Sequence, residues 1–186
     1  LLKNNKASIG SIEYYFKNKK IVTNLGDLSD LNKNISMLFS TAAHSTMSID
    51  DRNNLDLTGQ RKFDLLKIKS MQNKIGTLIE TQHDGYKHNF GISHKRTIFV
   101  PQKGNDLRGE DEISTFKNIG IIPNTAFIRF HLNPLIETFK LQSGKILLKH
   151  KDGLVLYFLS SYKNIEIEET MIFKKSFHEK SKQIVI

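Results

Sequence analysis

The dominant feature of the sequence is an alternation of apolar and polar residues with a period of two. Short segments rich in Ile, Val, Thr, Phe and Tyr recur about every ten residues, and turn residues separate them. Helical periodicity is weak throughout the chain. The pattern therefore predicts an all-β protein, an antiparallel β-sandwich of about ten or more strands.

Prolines and turn residues set the predicted boundaries. Pro101 and Pro134 each end a strand, because proline has no backbone N–H to donate to a ladder. The predicted strands span residues 11–16, 21–24, 46–49, 76–81, 93–100, 125–132, 135–141, 145–150, 154–160, 165–173 and 183–186. Residues 61–73 are predicted as strand plus loop, and residues 104–120 as the one long loop. The whole chain, residues 1–186, is predicted to form one domain.

The composition excludes several classes of site. The absence of cysteine rules out disulfides, cysteine-based zinc fingers, iron–sulfur clusters and thiol nucleophiles. No apolar run approaches the ~18–20 residues of a membrane-spanning helix, so no membrane span is predicted. The first residues, Leu-Leu-Lys-Asn-Asn-Lys, contain neither an initiator Met nor a signal-peptide apolar core. The sequence is expected to be truncated at this end.

The chain carries a formal net charge of +9, which raises the possibility of a polyanionic partner. Lysine supplies most of this charge, and arginine, which recognises phosphate and guanine bidentately, is scarce. The abundance of Ile, Lys and Asn, all encoded by A/T-rich codons, offers a simpler explanation. Solvated surface lysines are the favoured interpretation. Acidic polysaccharide stays open as a partner, and nucleic acid is the weakest candidate.

Three local clusters are more specific: residues 39–46 (Phe-Ser-Thr-Ala-Ala-His-Ser-Thr), residues 83–86 (His-Asp-Gly-Tyr) and residues 128–134 (Ile-Arg-Phe-His-Leu-Asn-Pro). With the His-Lys-Arg strand at residues 94–96 and the Gln-Ile-Val terminus at residues 183–185, they follow the order of motifs in a known family. The chain resembles the C-terminal, supersandwich-like β-domain of the heparinase II/III-like polysaccharide lyases.

This resemblance implies a carbon–oxygen lyase reaction, β-elimination on uronate-containing polysaccharide. Such chemistry needs a base, a group that neutralises the sugar carboxylate and a proton for the leaving group. In the family these residues line a cleft between the sandwich and a helical α/α toroid. The present sequence is expected to lack the toroid, and a separately encoded helical domain is the expected partner. The resemblance also implies a location in the periplasm or cell envelope.

The sequence departs from the family at the positions that hold zinc in some members. The first position falls near Lys6, in a segment without histidine, the second is Asn24, and the third is His44. A structural zinc ion takes four ligands, so zinc is predicted to be lost and no cofactor is expected. The family's tyrosine between the second and third positions has no counterpart either. The catalytic residues therefore stay unassigned, and the chain is expected to be inactive alone.

Five residues are candidate substrate contacts: His44, His83, Tyr86, Arg129 and His131. For His44, a buried histidine bonded to a neighbouring strand is favoured over a residual metal ligand or a sugar contact. For His83 and Tyr86, a β-turn at residues 84–85 with the tyrosine ring packed on the sheet is favoured over the edge of a cleft. A hairpin could bring together two of the histidines at positions 83, 88 and 94.

Arg129 and His131 alternate with apolar neighbours, so a solvated strand face is favoured over a groove for an acidic glycan. Glu166 and Glu168 are read as the outer face of a surface strand, not as an acid/base pair. Three functions follow: a lyase module that needs a helical partner, a non-catalytic carbohydrate-binding or structural domain, and, much weaker, a basic nucleic-acid-binding protein.

Overall fold

The computed structural model describes residues 7–26, 36–58, 63–116, 121–175 and 177–186. Of these residues, 53% lie in strands and 7% in helices, and every strand pairing within the three sheets is antiparallel. No helix among them has the length and apolar character needed to cross a membrane. The prediction of an all-β, antiparallel sandwich is confirmed.

The described residues form thirteen strands. In chain order these are β1 (Tyr14–Phe16), β2 (Lys19–Thr23), β3 (Met47–Ile49), β4 (Leu66–Gln72), β5 (Gly76–Tyr86), β6 (Ile92–Pro101), β7 (Arg108–Thr115), β8 (Ala126–Leu132), β9 (Ile136–Lys140), β10 (Ile146–His150), β11 (Val155–Phe158), β12 (Glu166–Phe173) and β13 (His178–Val185). A short helix, α1 (Lys87–Phe90), and two 3-10 segments (Ser36–Phe39 and Thr41–Ala43) complete the regular structure.

The chain divides into two compact units. Unit 1 comprises residues 1–10 and 48–126, and unit 2 comprises residues 11–47 and 127–186. Unit 1 contains a four-stranded sheet in the order β4-β5-β6-β7. Unit 2 contains a sheet in the order β1-β2-β8-β13-β12 and a three-stranded sheet in the order β11-β10-β9.

Unit 2 is held together by a core between its two sheets. Ile21, Leu132 and Ile184 come from the larger sheet and pack in one cluster with Ile146 and Leu148 of the smaller sheet. Alternation along each strand places these side chains on the inner faces, which is the arrangement of a β-sandwich. Removal of this apolar surface from water is the main force that holds the two layers together.

Two predictions of element type are wrong. The expected long loop at residues 104–120 is wrong, because β7 runs from Arg108 to Thr115 in its middle. The acidic residues that suggested a loop pair with the basic strand β6. The predicted turn at Asp84-Gly85 is also wrong, because β5 continues to Tyr86, with a register irregularity between His83 and Tyr86. Within residues 61–73, the predicted strand corresponds to β4, while residues 61–62 lie outside the described part.

Candidate functional site

The strands of unit 1 bring together a buried polar cluster, here called the histidine cluster: His83 on β5, His94 and Arg96 on β6, and Asp111 on β7. Ladder register explains the arrangement, because His83 pairs with His94, and Arg96 pairs with Asp111. Cross-strand partners share one face of a sheet, so all four side chains point to the same side. His83 is 0% exposed and Arg96 is 2% exposed.

Hydrogen bonds run through the histidine cluster in one direction. The backbone N–H of Gly85 donates to Nδ1 of His83 (3.2 Å), so the neutral ring carries its proton on Nε2. That Nε2–H donates to Nδ1 of His94 (3.2 Å), which leaves Nε2–H of His94 to donate to Oδ1 of Asp111 (2.7 Å). The tautomers follow from this network, and both rings are neutral in it.

The hydrogen-bonded chain ends at a buried ion pair. Arg96 donates from Nε and Nη2 to the two carboxylate oxygens of Asp111 (2.8 and 3.0 Å) and from Nη1 to the carbonyl oxygen of Gly10 (2.9 Å). This bidentate geometry is the strong form of an arginine–carboxylate contact. The pair thereby links β6, β7 and the segment that precedes Ser11.

Burial sets the protonation of the histidine cluster. Desolvation, with the neighbouring His94 and Arg96, lowers the pKa of His83 to about 3. For Asp111, burial alone would raise the pKa, but hydrogen bonds from His94 and Arg96 and the charge of Arg96 outweigh it, and the pKa lies below its ordinary value. At neutral pH the His83 ring is therefore neutral, and Arg96 and Asp111 form one compensated pair of charges.

A cavity of about 430 Å³ lies beside the histidine cluster in unit 1. Its wall combines the 52–58 segment, the end of β5 and the helix α1. The polar groups of the wall include Arg52, Asp84 and His88, and Phe63 contributes an aromatic ring. The volume lies in the range of small-molecule sites, and polar residues form most of the wall.

Asp84 is the most buried carboxylate of this cavity wall, with 4% of its surface exposed. Its Oδ2 accepts a hydrogen bond from the backbone N–H of Asp64 (3.2 Å). Within the described residues, no group donates a hydrogen bond to its Oδ1, which is itself buried. A buried acceptor without a hydrogen bond destabilises the folded state.

The structure separates the five predicted contact residues into two groups. His83 and Tyr86 lie in unit 1, with ring centroids 5.8 Å apart, and both are completely buried. The packing of the Tyr86 ring into the fold is as predicted, and a hairpin does bring two histidines together, His83 and His94. Neither predicted residue exposes a group at the surface.

His44, Arg129 and His131 form the second group, in unit 2. His44 is 4% exposed, as predicted for a buried histidine, and follows the 3-10 segment Thr41–Ala43. Arg129 is half-buried, with its guanidinium 5.1 Å from the centroid of the Phe127 ring. The favoured interpretation of a solvated strand face is wrong at His131, which is 1% exposed.

His131 is held under the segment that precedes His44. Its Nε2–H donates to the carbonyl oxygen of Ala42 (3.0 Å). Burial lowers the pKa of His131 to about 4, and Arg129 and His44 act in the same direction. The imidazole is therefore neutral at physiological pH and serves as a hydrogen-bond donor between β8 and the 41–43 turn.

Two of the family's three zinc positions, Asn24 and His44, lie among the described residues. The side-chain oxygen of Asn24 accepts a hydrogen bond from the backbone N–H of Ser45 (2.8 Å), next to His44. The described residues contain no group of three or more His, Asp or Glu side chains placed to hold a metal. The first family position, near Lys6, lies outside the described residues. The loss of zinc stays a prediction.

The sequence prediction missed Asp111, Asp84 and the cavity. Asp111 falls in the acidic stretch that the sequence predicts as a loop, and three consecutive acidic residues at positions 110–112 give no period-two signal. Glu166 and Glu168 are exposed on β12, an edge strand of its sheet, as predicted.

Comparison with known proteins gives one curated relative and one family. FtsZ-localized protein C of Caulobacter vibrioides (strain NA1000 / CB15N) is 26% identical over 121 residues, which cover 60% of this chain and 20% of that protein. The aligned part is thus a small fraction of the relative. No solved structure matches. The family model described as "Heparinase II/III-like, C-terminal" matches residues 1–186, and the chain therefore belongs to the heparinase II/III-like C-terminal family.

Proposed function

We propose that this chain is a polysaccharide-binding β-module of the heparinase II/III-like type, which takes an acidic sugar into the unit 1 cavity and does not catalyse β-elimination alone. The observation that carries the proposal is the chemistry of the cavity wall. Arg52 offers a guanidinium for a uronate carboxylate, Asp84 and Asn89 offer groups for hydroxyls, and Phe63 offers a ring face for a sugar.

Burial of the candidate bases supports the proposal that the chain does not catalyse β-elimination alone. His44, His83, Tyr86 and His131 are each exposed by 4% or less. A general base must come within hydrogen-bond reach of the proton that it removes. A helical partner that completes a cleft remains part of the proposal, since the family resemblance implies one.

The test is isothermal titration calorimetry of the chain with acidic oligosaccharides and with neutral ones of equal length. Arg52→Gln is expected to weaken binding of the acidic ligand by about tenfold or more, because a hydrogen bond to a charged group is lost. Arg108→Gln is the matched control, since Arg108 is an exposed arginine of the same unit outside the cavity wall. Equal affinities of both variants would rule out the cavity as the site.

Catalysis is tested separately by the absorbance of unsaturated uronate products during incubation with acidic polysaccharide. No signal is expected from the chain alone. A signal that disappears in a variant of this chain would show that the module is catalytic by itself.

A non-catalytic structural role is the second candidate. The likeness to FtsZ-localized protein C favours it, because the name of that protein describes where it is found and not a reaction. Loss of localisation on deletion of the module, with no affinity for any acidic or neutral glycan, would favour this candidate. Recovery of the protein from the periplasm or cell envelope on cell fractionation is expected for the polysaccharide-binding function.

A further inference from the structure

The four-stranded sheet of unit 1 ends in two solvent-exposed edges. Every residue of β4 is exposed, and every residue of β7 is exposed except Asp111. Neither strand has a second strand partner among the described residues. Exposed edges present unpaired backbone N–H and C=O groups to other chains.

The two edges carry opposite charges in the same rows of the sheet. One row runs from Lys67 through residues 82 and 95 to Glu112. The next row on the same face runs from Lys69 through residues 80 and 97 to Glu110. Lys95 lies 3.8 Å from the carboxylate of Glu80 and 3.5 Å from that of Glu112, which shows that these side chains share one face.

Strand direction and register allow the edges to meet. Directions alternate across the sheet, so β4 and β7 are antiparallel, and β7 of one copy can continue the ladder onto β4 of a second copy. Without a stagger, Glu112 then faces Lys67 of the second copy, and Glu110 faces Lys69. Opposite charges directly across a strand pair are stabilising.

The other face of the same edges carries exposed apolar residues beside Asp111. In the same register, Ile113 of one copy lies beside Leu66 of the next, and these side chains are 42% and 48% exposed in the single chain. Ile68, also on β4, is 70% exposed and lies in the row of Asp111. Charged edge residues often serve to prevent pairing, but the exposed apolar residues of these two edges do not serve that purpose.

Pairing of like edges is disfavoured. Two β4 edges would bring lysines of both copies together, and two β7 edges would bring glutamates together. We propose that the partner of the β4 edge is the β7 edge of a second copy of this chain, in a head-to-tail contact that extends the sheet. A contact of this kind does not close on itself as a two-fold dimer does, and it leads to open assemblies.

Sedimentation velocity of the 186-residue chain over a range of concentrations tests the proposal. The weight-average mass is expected to rise with concentration at low salt and to fall when NaCl is added, since exposed charge pairs are screened. A monomer at every concentration and salt condition would overturn the proposal.

Two charge-reversal variants give a sharper test. K67E/K69E has two acidic edges and E110K/E112K has two basic edges, so each alone is expected to lose at least about tenfold in association constant. An equimolar mixture is expected to associate again, because every acidic edge then meets a basic one. A mixture that stays monomeric, or association that persists in either variant alone, would overturn the head-to-tail pairing.

The control is K145E/K149E, which changes the net charge as K67E/K69E does but lies at exposed positions of unit 2. It is expected to associate like the unmodified chain. A loss of association in this control would assign the effect to net charge and overturn the role of the edges.

Discussion

At the scale of single residues, the fold keeps His83 and His131 out of water in the neutral form. His83 and His131 lie in different units, yet burial is the largest cause of the lowered pKa in both. Each ring is held by hydrogen bonds that suit a neutral imidazole. Protonation of either ring must therefore break these contacts or bring a charge into the interior.

The stability of the protein is expected to fall on acidification from pH 6.5. The unfolded chain binds protons at His83 and His131 near pH 6.5, whereas the folded chain binds them at about 3 and about 4. Between these values the unfolded state binds more protons, and each histidine costs about 1.4 kcal/mol per pH unit. Urea unfolding at pH 7.5 and 5.0 measures the effect.

His131→Gln is expected to reduce this pH dependence, and His178→Gln, at an exposed position on β13, is expected to leave it unchanged. A free energy of unfolding that stays constant between pH 7 and pH 5 would contradict the assignment of neutral buried rings.

Asp111→Asn is expected to destabilise the protein by about 3–5 kcal/mol, because it leaves the guanidinium of Arg96 buried without its carboxylate. Thermal or urea unfolding measures the change. Glu112→Gln is the neighbouring control, since Glu112 is exposed and forms a surface ion pair with Lys95 at 3.5 Å; it is expected to change stability by about 1 kcal/mol or less. Equal effects of the two substitutions would argue against a structural role for the histidine cluster.

At the scale of the elements, the end of β5 determines the shape of the unit 1 cavity. The ladder between β5 and β6 is irregular between His83 and Tyr86, and α1 begins directly after it. Gly85 lies in this irregular stretch, where a Cβ atom would collide with the backbone carbonyl of Asn54. A backbone contact cannot yield as the end of a side chain does.

Gly85→Ala is therefore expected to cost about 1–3 kcal/mol or more, as measured by the thermal unfolding midpoint. Gly109→Ala, on β7 of the same sheet, is the control, because a Cβ atom there would meet only the flexible end of Ile98 at 3.2 Å. It is expected to change stability by less than about 1 kcal/mol. A tolerated alanine at position 85 would mean that the backbone of residue 54 can move.

The turns show how far local sequence predicts an element. The sequence predicts strands at residues 11–16 and 21–24 with four residues between them, and β1 and β2 pair as a hairpin there. The turn is tighter than the predicted four residues, because Lys17 and Asn18 alone adopt positive φ (48° and 60°) and β2 begins at Lys19. Asparagine tolerates this conformation, but lysine gives no such signal.

At the scale of the whole molecule, the net charge of +9 is expected to cause weak, non-specific attraction to polyanions. Retention of the chain on immobilised heparin and on duplex DNA should fall steeply as NaCl is raised, and single lysine substitutions should have little effect. The Arg52-dependent binding of an acidic oligosaccharide should survive at about 150 mM salt. Tighter binding to DNA than to acidic polysaccharide at that salt would favour the nucleic-acid candidate.

The sequence by itself determined the all-β class and the positions of most strands, because alternation and turn residues are local features of the chain. Its ordered motifs also determined the family. Only the tertiary structure decided which polar residues are buried. His83, Arg96 and Asp111 meet through ladder pairings across three strands, and His131 is covered by a segment about ninety residues earlier in the chain. Desolvation depends on what packs over a side chain, and local periodicity contains no information about that.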